Sequence, residues 1–154
     1  MADRNRTKLS KSTFLKGCQC PKSLYLYKYE PDLMESESVS QKLRMKSGTE
    51  VGALARKLFP NGIAILRQER SVSFNSLKQT TQKIEEGFNI MYEAAFQFED
   101  VYAATDILTS IDGKYKCYEV KSSTEIKEVH IIDAALQYYI ISNSGVLLDD
   151  IFIV

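Results

Sequence analysis

Long apolar runs are missing from this sequence. No run of apolar residues approaches the ~20 that a transmembrane helix requires, so we expect a protein that does not span a membrane. The first residues, MADRNRTKLSKS, lack the apolar segment of a secretory signal peptide. The sequence contains 3 cysteines, and an odd number argues against a framework of disulfides and favours a reducing compartment. These absences together predict a cytoplasmic protein.

A net charge is also missing, because 20 basic and 20 acidic side chains balance each other. The total therefore gives no indication of nucleic-acid binding, but the charge is unevenly distributed. Between Met1 and Lys28 the only acid is Asp3. The basic residues of this arm are Arg4, Arg6, Lys8, Lys11, Lys16, Lys22 and Lys28. A basic arm can follow the phosphates of a nucleic acid, although a run of charge is also typical of an ordinary solvated face.

Histidine occurs once, as His130, with no cysteine or histidine beside it. A histidine in that setting is more often a structural residue than a metal ligand. The 154 residues and their ordinary apolar fraction, 44%, suit one domain with a sizeable core. No internal repeat or low-complexity segment divides the chain.

The segment KYKCYEVKSS, from Lys114 to Ser123, carries the clearest chemical pattern. In a β-strand, alternate side chains share one face. That face carries Tyr115, Cys117, Glu119 and Lys121. The preceding segment, 101–111, has the composition of a second strand. Asp112-Gly113, which joins the two, is a preferred pair for a two-residue type I′ turn, so we predict a β-hairpin.

This turn pairs Ile111 with Lys114 and, by counting along both strands, Asp106 with Glu119. Their Cβ atoms are then expected about 4.5–5.5 Å apart. Two facing carboxylates repel each other unless a divalent cation lies between them, since hard cations bind carboxylate oxygens. The repulsion predicts that Glu119→Gln slightly stabilises the metal-free protein. The alternative is a solvated hairpin face on which Lys121 neutralises one of the acids.

In this order, D-x(12)-E-x-K, Asp106, Glu119 and Lys121 resemble the PD-(D/E)XK nuclease superfamily. The branch that the chain resembles most includes the RecB nuclease domain and the CRISPR-associated adaptation nucleases. The resemblance implies that Asp106, Glu119 and the backbone carbonyl of Val120 bind Mg²⁺ or Mn²⁺. It also implies that Lys121 orients or activates the attacking water and that Gln137, on the following helix, lies near the scissile strand.

The chain departs from this pattern at three positions. Thr105 stands where the superfamily usually has Pro or Gly, Gly52 where many relatives have a metal-binding His, and Ile141 where the Tyr of a Q-x-x-x-Y motif would lie. Glu50, on the same predicted helix as Gly52, would replace the missing ligand by approaching the two carboxylates. The alternative for Glu50 is an ordinary exposed glutamate.

Cys20 lies immediately before Pro21 in LSKSTFLKGCQCPKSLYLY, which resembles the entry segment of RecB-like nucleases that carry an iron–sulfur cluster. The resemblance implies that Cys20 is the first ligand of a 4Fe-4S cluster, with three more cysteines after the nuclease core. The other cysteines here are Cys18 and Cys117, and the sequence stops at the strand-prone IFIV. We therefore expect the cluster only in a longer protein of which this chain is a fragment. Otherwise Cys18 and Cys20 are ordinary thiols between two helices.

Residues 1–40 are predicted to form a helical, basic N-terminal segment. Ser10 is expected to cap its first helix, Gly17 to end that helix, and Pro21 to begin the second. Residues 41–154 are predicted to form the nuclease core as a single domain. Its order of helix, three strands, helix and strand resembles the restriction-endonuclease-like α/β core.

The predicted core elements are a helix over 41–58, strands over 88–98, 101–111 and 114–123, a helix over 130–142 and a last strand in DDIFIV. The inward side of the first helix is expected to carry Leu43, Val51, Leu54, Ala55 and Leu58. Ser73 or Asn75 is expected to cap a further helix over 76–86, which Gly87 closes. Glu93 is expected to pair with a basic side chain; its alternative is an approach to the metal site.

These features predict a Mg²⁺- or Mn²⁺-dependent deoxyribonuclease that hydrolyses DNA phosphodiester bonds in DNA repair, recombination or defence. The alternative is a nucleic-acid-binding or scaffold domain that has kept the fold and lost cleavage. An enzyme that acts on a small phosphate ester has no separate signal in the sequence. No pattern in the sequence indicates an oligomeric state.

Overall fold

The computed structural model describes residues 8–36, 38–66 and 74–154, which form a mixed α/β fold. The described part contains five α-helices and two mixed β-sheets. The helices are α1 (Lys11–Gln19), α2 (Pro21–Tyr29), α3 (Val39–Ala55), α4 (Phe74–Glu85) and α5 (Glu128–Ser142). The strands are β1 (Leu9–Ser10), β2 (Ile63–Ala64), β3 (Ile90–Tyr92), β4 (Ala95–Phe98), β5 (Val101–Ala104), β6 (Ile107–Ile111), β7 (Lys114–Glu119) and β8 (Leu147–Ile153). None of these helices is both long enough and apolar enough to cross a membrane.

The larger sheet has five strands in the order β2-β3-β6-β7-β8. Its three central strands are antiparallel, while β2 joins β3 and β8 joins β7 in parallel. The smaller sheet has the order β1-β5-β4, in which β1 is parallel and β4 antiparallel to β5. The N-terminal segment was predicted to be helical, but through β1 it also contributes a strand to this sheet.

The hairpin of β6 and β7 has the predicted register. Ile111 pairs with Lys114, and the ladder continues to Ile107 and Tyr118. At the turn, Asp112 and Gly113 have φ angles of 51° and 76°, and a type I′ turn requires positive φ at both positions. The local turn chemistry therefore fixes the register within the ladder. The predicted strand pairing of Asp106 with Glu119 is not part of it, because Asp106 precedes β6.

The segments 88–98 and 101–111 are not the two continuous strands that were predicted. Each is broken in the middle, and its two halves, β3 with β4 and β5 with β6, belong to different sheets. Glu93 lies in the first break with φ 60°, and Asp106 lies in the second. The Glu93 N–H donates to the Asp106 carbonyl oxygen at 3.3 Å. The chain thus changes sheets twice at one place, and this junction positions Asp106.

Helix α1 begins as predicted, because the Ser10 hydroxyl accepts from the Thr13 N–H at 3.3 Å. Gly17 does not end the helix, which continues to Gln19. A Cβ atom at Gly17 would lie 2.9 Å from Leu24 Cδ2 of α2. The glycine therefore allows two helices to approach closely, and this role was not distinguishable from a helix end in the sequence.

Helix α3 was predicted close to its observed bounds, and a 3-10 helix, Arg56–Leu58, continues it. The predicted inward side is wrong for Leu43, which is 62% exposed, and for Leu54 and Leu58, which are also exposed. It is correct for Ala55, which is buried. Burial is confined to Ala55 at the end of the helix, which packs with Tyr92 and Ile107. The sequence of this helix has the apolar periodicity of an amphipathic helix, but within the described part of the chain most of its apolar side chains are not buried against another element.

Helix α4 ends as predicted: Gly87 has φ 81°, and its N–H donates to the Ile84 carbonyl oxygen at 3.0 Å. Thr80 is buried, and its hydroxyl accepts from the Ala95 N–H at 2.8 Å. Ser73, a predicted cap, lies outside the described residues.

The main core is formed where α5 packs on both sheets. This helix buries Leu136, Ile140 and Ile141. Tyr139 was expected to face inward, but it is half exposed and packs on Phe98 at the edge of the core. The packing of α5 matters for function because the same helix presents polar side chains to the end of β7.

Candidate active site

A compact cluster of charged side chains lies at the C-terminal end of β7. Three carboxylates, two ammonium groups and one amide take part, and they come from separate parts of the chain. Asp106 lies before β6, Glu119 ends β7, Lys121 follows β7, Asp133 and Gln137 lie on α5, and Lys11 begins α1. The cluster contains all four predicted catalytic side chains and two, Lys11 and Asp133, that the sequence analysis did not select.

Glu119 is at the centre of this cluster and is only 3% exposed. Its Oε1 atom accepts hydrogen bonds from Lys11 Nζ at 2.8 Å and Lys121 Nζ at 2.6 Å. Its Oε2 atom accepts from Gln137 Nε2 at 2.8 Å. Burial raises the pKa of Glu119, but the charges and hydrogen bonds of the two lysines outweigh it and lower the pKa to about 2. Glu119 is therefore a firmly ionised carboxylate.

Lys121 is held between two carboxylates, since its Nζ also donates to Asp133 Oδ2 at 2.5 Å. Burial lowers the pKa of Lys121, but Glu119 and Asp133 shift it above its usual value. The ammonium group consequently stays protonated at neutral pH. In this state Lys121 can donate hydrogen bonds to an anion or a water molecule, but it cannot accept a proton.

Asp106 is in a less favourable environment than Glu119. Burial and the negative charge of Glu119 raise the pKa of Asp106 to about 6, against smaller opposing effects from the Val120 N–H and Lys11. The Asp106 Oδ2 atom accepts from the Val120 N–H at 2.7 Å. The two predicted metal-binding carboxylates therefore have opposite pKa shifts. The negative charge of Glu119 is stabilised by the two lysines, whereas the negative charge of Asp106 is destabilised by burial and by Glu119.

The backbone at Val120 also faces Asp106. On the β8 side, the Glu119 carbonyl oxygen accepts from the Val154 N–H at 2.9 Å, and the Lys121 N–H donates to the Val154 carbonyl oxygen at 2.7 Å. The Val120 N–H points the other way, to Asp106. In an extended chain the N–H and C=O of one residue point to the same side, so the Val120 carbonyl lies on the side of Asp106.

Asp133 and Gln137 form the wall of the site on α5. Asp133 is 2% exposed, and its Oδ1 atom accepts from Gln137 Nε2 at 3.1 Å. Gln137 Oε1 lies 3.9 Å from the Cys117 thiol, whose pKa burial raises, so the neutral thiol can donate to it. The sequence did contain a signal for Asp133, because it is the one acid in the apolar run IIDAALQ and lies four residues before Gln137, on the same helix face.

Lys11 reaches the cluster from the other end of the chain, 108 residues before Glu119. Strand β1 brings it there, since Ser10 pairs in parallel with Tyr102, four residues before Asp106. In the sequence, Lys11 was distinguishable only as part of the basic arm. No local pattern could have located it, because its position depends on the pairing of β1 with β5.

Two predicted ligands lie away from the cluster. Glu50 is on an exposed face of α3, with a side chain 68% exposed that pairs with Lys46 at 3.9 Å. The proposed substitution of Glu50 for the missing histidine is therefore wrong. Cys20, like Cys18, is an exposed free thiol at the junction of α1 and α2, and Cys117 is buried in β7. The three thiols do not come together in this structure.

Glu93 and His130 have the structural roles that were expected of them. Glu93 Oε1 accepts from Arg56 Nη2 at 2.6 Å, so the glutamate pairs with a basic side chain. His130 Nδ1 accepts from the Lys127 N–H at 3.3 Å and caps the first turn of α5.

The oxygen atoms of the site fit a hard divalent cation. Asp106, Glu119 and the Val120 carbonyl offer only oxygen, and Mg²⁺ is commonly held by one or two carboxylates together with water and substrate phosphate. Within the described ranges, including this cluster, no three His, Cys, Asp or Glu side chains form a group that could hold a metal ion by themselves, so water and substrate would complete the coordination. The raised pKa of Asp106 shows where an added positive charge would be favourable. The donor set thus fits Mg²⁺ or Mn²⁺ better than Zn²⁺, which prefers nitrogen and sulfur.

Comparison of the sequence with protein-family models gives no match, and comparison with curated proteins gives no significant match. Function is therefore inferred from the chemistry of the carboxylate–lysine cluster and from its place in the fold.

Proposed function

We propose that this protein is a metal-dependent nuclease that hydrolyses DNA phosphodiester bonds and has a restriction-endonuclease-like core of the PD-(D/E)XK type. One observation carries the proposal: Asp106, Glu119, the Val120 backbone and Lys121 meet at the end of one hairpin. Two acids, a backbone carbonyl and a charged lysine are the groups that metal-assisted hydrolysis of a phosphodiester requires.

The element order supports this fold assignment. After α3, the strands β3, β6 and β7 are antiparallel neighbours in the larger sheet, and α5 and then β8, which is parallel to β7, follow them. This is the order of helix, three strands, helix and strand that the sequence predicts, with β2 and α4 inserted between α3 and β3 and with β4 and β5 inserted between β3 and β6. The site lies at the C-terminal end of β7, and binding and catalytic residues are often carried at such strand ends and on the loops that follow them.

Different residues of the site would bind the metal, stabilise the developing charge and position the lysine. A bound Mg²⁺ or Mn²⁺ supplies Lewis-acid activation of the phosphoryl group and of the attacking water. Asp106, Glu119 and the Val120 carbonyl would hold it. The Lys121 ammonium stabilises negative charge that develops on the phosphoryl oxygens. Asp133 fixes the position of Lys121 through the 2.5 Å contact, as outer partners of metal ligands and catalytic groups commonly do.

Helices α1 and α2 carry side chains of the kinds that bind DNA. They include the basic Lys16 and Lys22 and the exposed Tyr25 and Tyr27. Lys16 lies over the Tyr27 ring at 5.2 Å, and Tyr25 is exposed. Lysines bind the phosphate backbone, while exposed aromatic rings stack with unpaired bases. Arg4 and Arg6, the first basic residues of the arm, lie outside the described residues. Such a nuclease would act in DNA repair, recombination or defence.

A nucleic-acid-binding or scaffold domain without cleavage is the second candidate. The observation in its favour is that both Glu119 carboxylate oxygens already accept hydrogen bonds from protein side chains. A site that is satisfied in this way is stable without a metal.

Incubation with single- and double-stranded DNA and either Mg²⁺ or Mn²⁺ separates the two candidates. The wild-type protein should cleave DNA, and Asp106→Asn should bind DNA without cleaving it. Asp112→Asn is the matched control, because it makes the same change in the exposed hairpin turn and should leave cleavage intact. If the wild-type protein binds DNA and cleaves it with neither metal, the scaffold candidate replaces the nuclease.

A further inference from the structure

Lys11 is a charged member of the cluster that the proposed cleavage chemistry does not use. Its Nζ lies 2.8 Å from Glu119 Oε1 and 3.3 Å from Asp133 Oδ1. The side chain is 22% exposed, so the ammonium group is largely removed from water. Lys11 and Lys121 bind the same oxygen atom of Glu119, which therefore carries two cationic partners.

The position of Lys11 is unfavourable for its own helix. It is the first residue of α1, immediately after the Ser10 cap. Positive charge at the N-terminus of a helix opposes the helix dipole, and negative charge is preferred there. No acid lies in this first turn to offset it. The lysine is thus explained by its contacts across the fold and not by helix formation.

The charges of the cluster show what Lys11 contributes. Asp106, Glu119 and Asp133 carry three negative charges when ionised, and Lys11 with Lys121 carries two positive charges. One net negative charge remains. A divalent cation would need two carboxylates of this cluster, Asp106 and Glu119. Lys11 already pairs with one of them, Glu119, before the cation binds.

We infer that Lys11 is a built-in competitor of the divalent cation: its ammonium group holds Glu119 in the metal-free protein and must leave that oxygen when the cation binds. The inference rests on the proposed metal site. It adds that metal affinity is set partly by a residue of the N-terminal helix, which carries no ligand of the metal. The exchange removes a cation from Glu119 as another arrives, so the buried carboxylate is paired in both states.

Only the side chain of Lys11 has to move. The backbone on its N-terminal side is held by the pairing of Ser10 with Tyr102 and by the bond from Lys28 Nζ to the Lys8 carbonyl oxygen at 2.5 Å. The capping interactions between Ser10 and Thr13 hold the first turn of α1. A lysine side chain has four rotatable carbon–carbon bonds, so its ammonium group can leave Glu119 while α1 stays in place.

Titration of the full chain with Mn²⁺, without nucleic acid, tests this inference. Free Mn²⁺ is followed by electron paramagnetic resonance for the wild type, Lys11→Met and Lys16→Met. Methionine removes the charge and keeps an unbranched side chain. Loss of one unit charge beside a bound cation should tighten Mn²⁺ binding by Lys11→Met about tenfold or more. Lys16→Met, on the same helix but paired with Tyr27, should bind Mn²⁺ like the wild type.

The outcomes distinguish this inference from the metal site itself. If all three proteins bind Mn²⁺ with the same affinity, or if Lys11→Met binds it more weakly, the competition is overturned and the metal site stands. If none of them binds Mn²⁺, the metal site and the competition are both overturned.

A second measurement applies if Lys11→Met does not fold. In wild-type protein with ¹³C-labelled lysines, saturation with Mg²⁺ should shift the Lys11 Cε resonance, which is assigned by its absence from Lys11→Arg. A Lys11 resonance that is unchanged on saturation overturns the inference.

Discussion

At the scale of single residues, the site is defined by two neighbouring acids with opposite pKa shifts. The pKa of Asp106 is raised to about 6, and that of Glu119 is lowered to about 2. The hairpin register predicted that the two would repel each other, and the charge of Glu119 does raise the pKa of Asp106. The sequence did not show which of the two acids would have the raised pKa. The structure decides this, because Lys11 and Lys121 both contact Glu119 and lower its pKa.

The opposite shifts predict opposite effects of two similar substitutions. For Asp106, the ordinary pKa is 3.8 and the folded-state pKa is about 6, so the folded state binds the proton more tightly. Stability is therefore lost as the pH rises from about 4 to about 6, and the loss persists above that range. Asp106→Asn removes this loss, so it should raise the melting temperature of the metal-free protein at pH 7.5 but not at pH 4.

Glu119→Gln should instead destabilise the metal-free protein. The folded-state pKa of Glu119, about 2, lies below its ordinary value of 4.5, so ionised Glu119 stabilises the fold above that pH and loses its effect as the pH falls toward 2. Removing the charge leaves two buried ammonium groups without this partner, which should cost about 3 kcal/mol at pH 7. This reverses the expectation from the sequence that Glu119→Gln would be slightly stabilising.

Both substitutions are measured by thermal and urea unfolding in the presence of a chelator. Asp112→Asn in the exposed turn and Glu125→Gln in the exposed segment before α5 are the controls, and neither should change stability appreciably. Destabilisation by Asp106→Asn at pH 7.5, or stabilisation by Glu119→Gln, would contradict the charge distribution described for the site.

At the scale of elements, the sequence predicted what local chemistry determines. The Asp112-Gly113 turn, the Ser10 cap and the start of α2 at Pro21 were all correct, because each depends on a few adjacent residues. The breaks at Glu93 and Asp106 were not predicted, because a change of sheet depends on distant strands. Lys11 was missed for the same reason, since β1 had to pair with β5 before its position was defined.

A glycine-to-alanine substitution in the turn tests the hairpin, and a second one in α3 serves as its control. Gly113 has φ 76° in the turn, and an added Cβ there would meet no other atom. Gly113→Ala should nevertheless destabilise the protein by about 1–2 kcal/mol, because an alanine in this left-handed conformation is strained.

Gly48 is the matched control, since it also has open space around it but lies within α3. Gly48→Ala should stabilise by up to about 1 kcal/mol, because alanine favours the helix. The free energies of unfolding of both variants are measured in urea. Equal effects of the same sign would contradict the assigned turn or the assigned helix.

At the scale of the whole molecule, the site depends on the complete fold. Helix α1, the hairpin and α5 each supply charged or polar groups, and β8 fixes the end of β7 through Val154. Asp106, Glu119, Lys121 and Gln137, which were selected from a span of about 30 residues in the sequence, do lie together in the structure. Their assignment to the PD-(D/E)XK type stays a proposal. The contributions of Lys11 and Asp133 required the folded chain.

The most direct test of the central claim is the rate of DNA cleavage at saturating Mn²⁺ for the wild type, Lys121→Ala and Lys114→Ala. Lys114 lies at the exposed start of β7, outside the charged cluster. Lys121→Ala should lose about 10²-fold or more in rate and still bind DNA, because an electrostatic contributor to the transition state is removed. Lys114→Ala should cleave like the wild type. Equal rates for all three proteins, or no cleavage by the wild type, would contradict the assignment of a nuclease site.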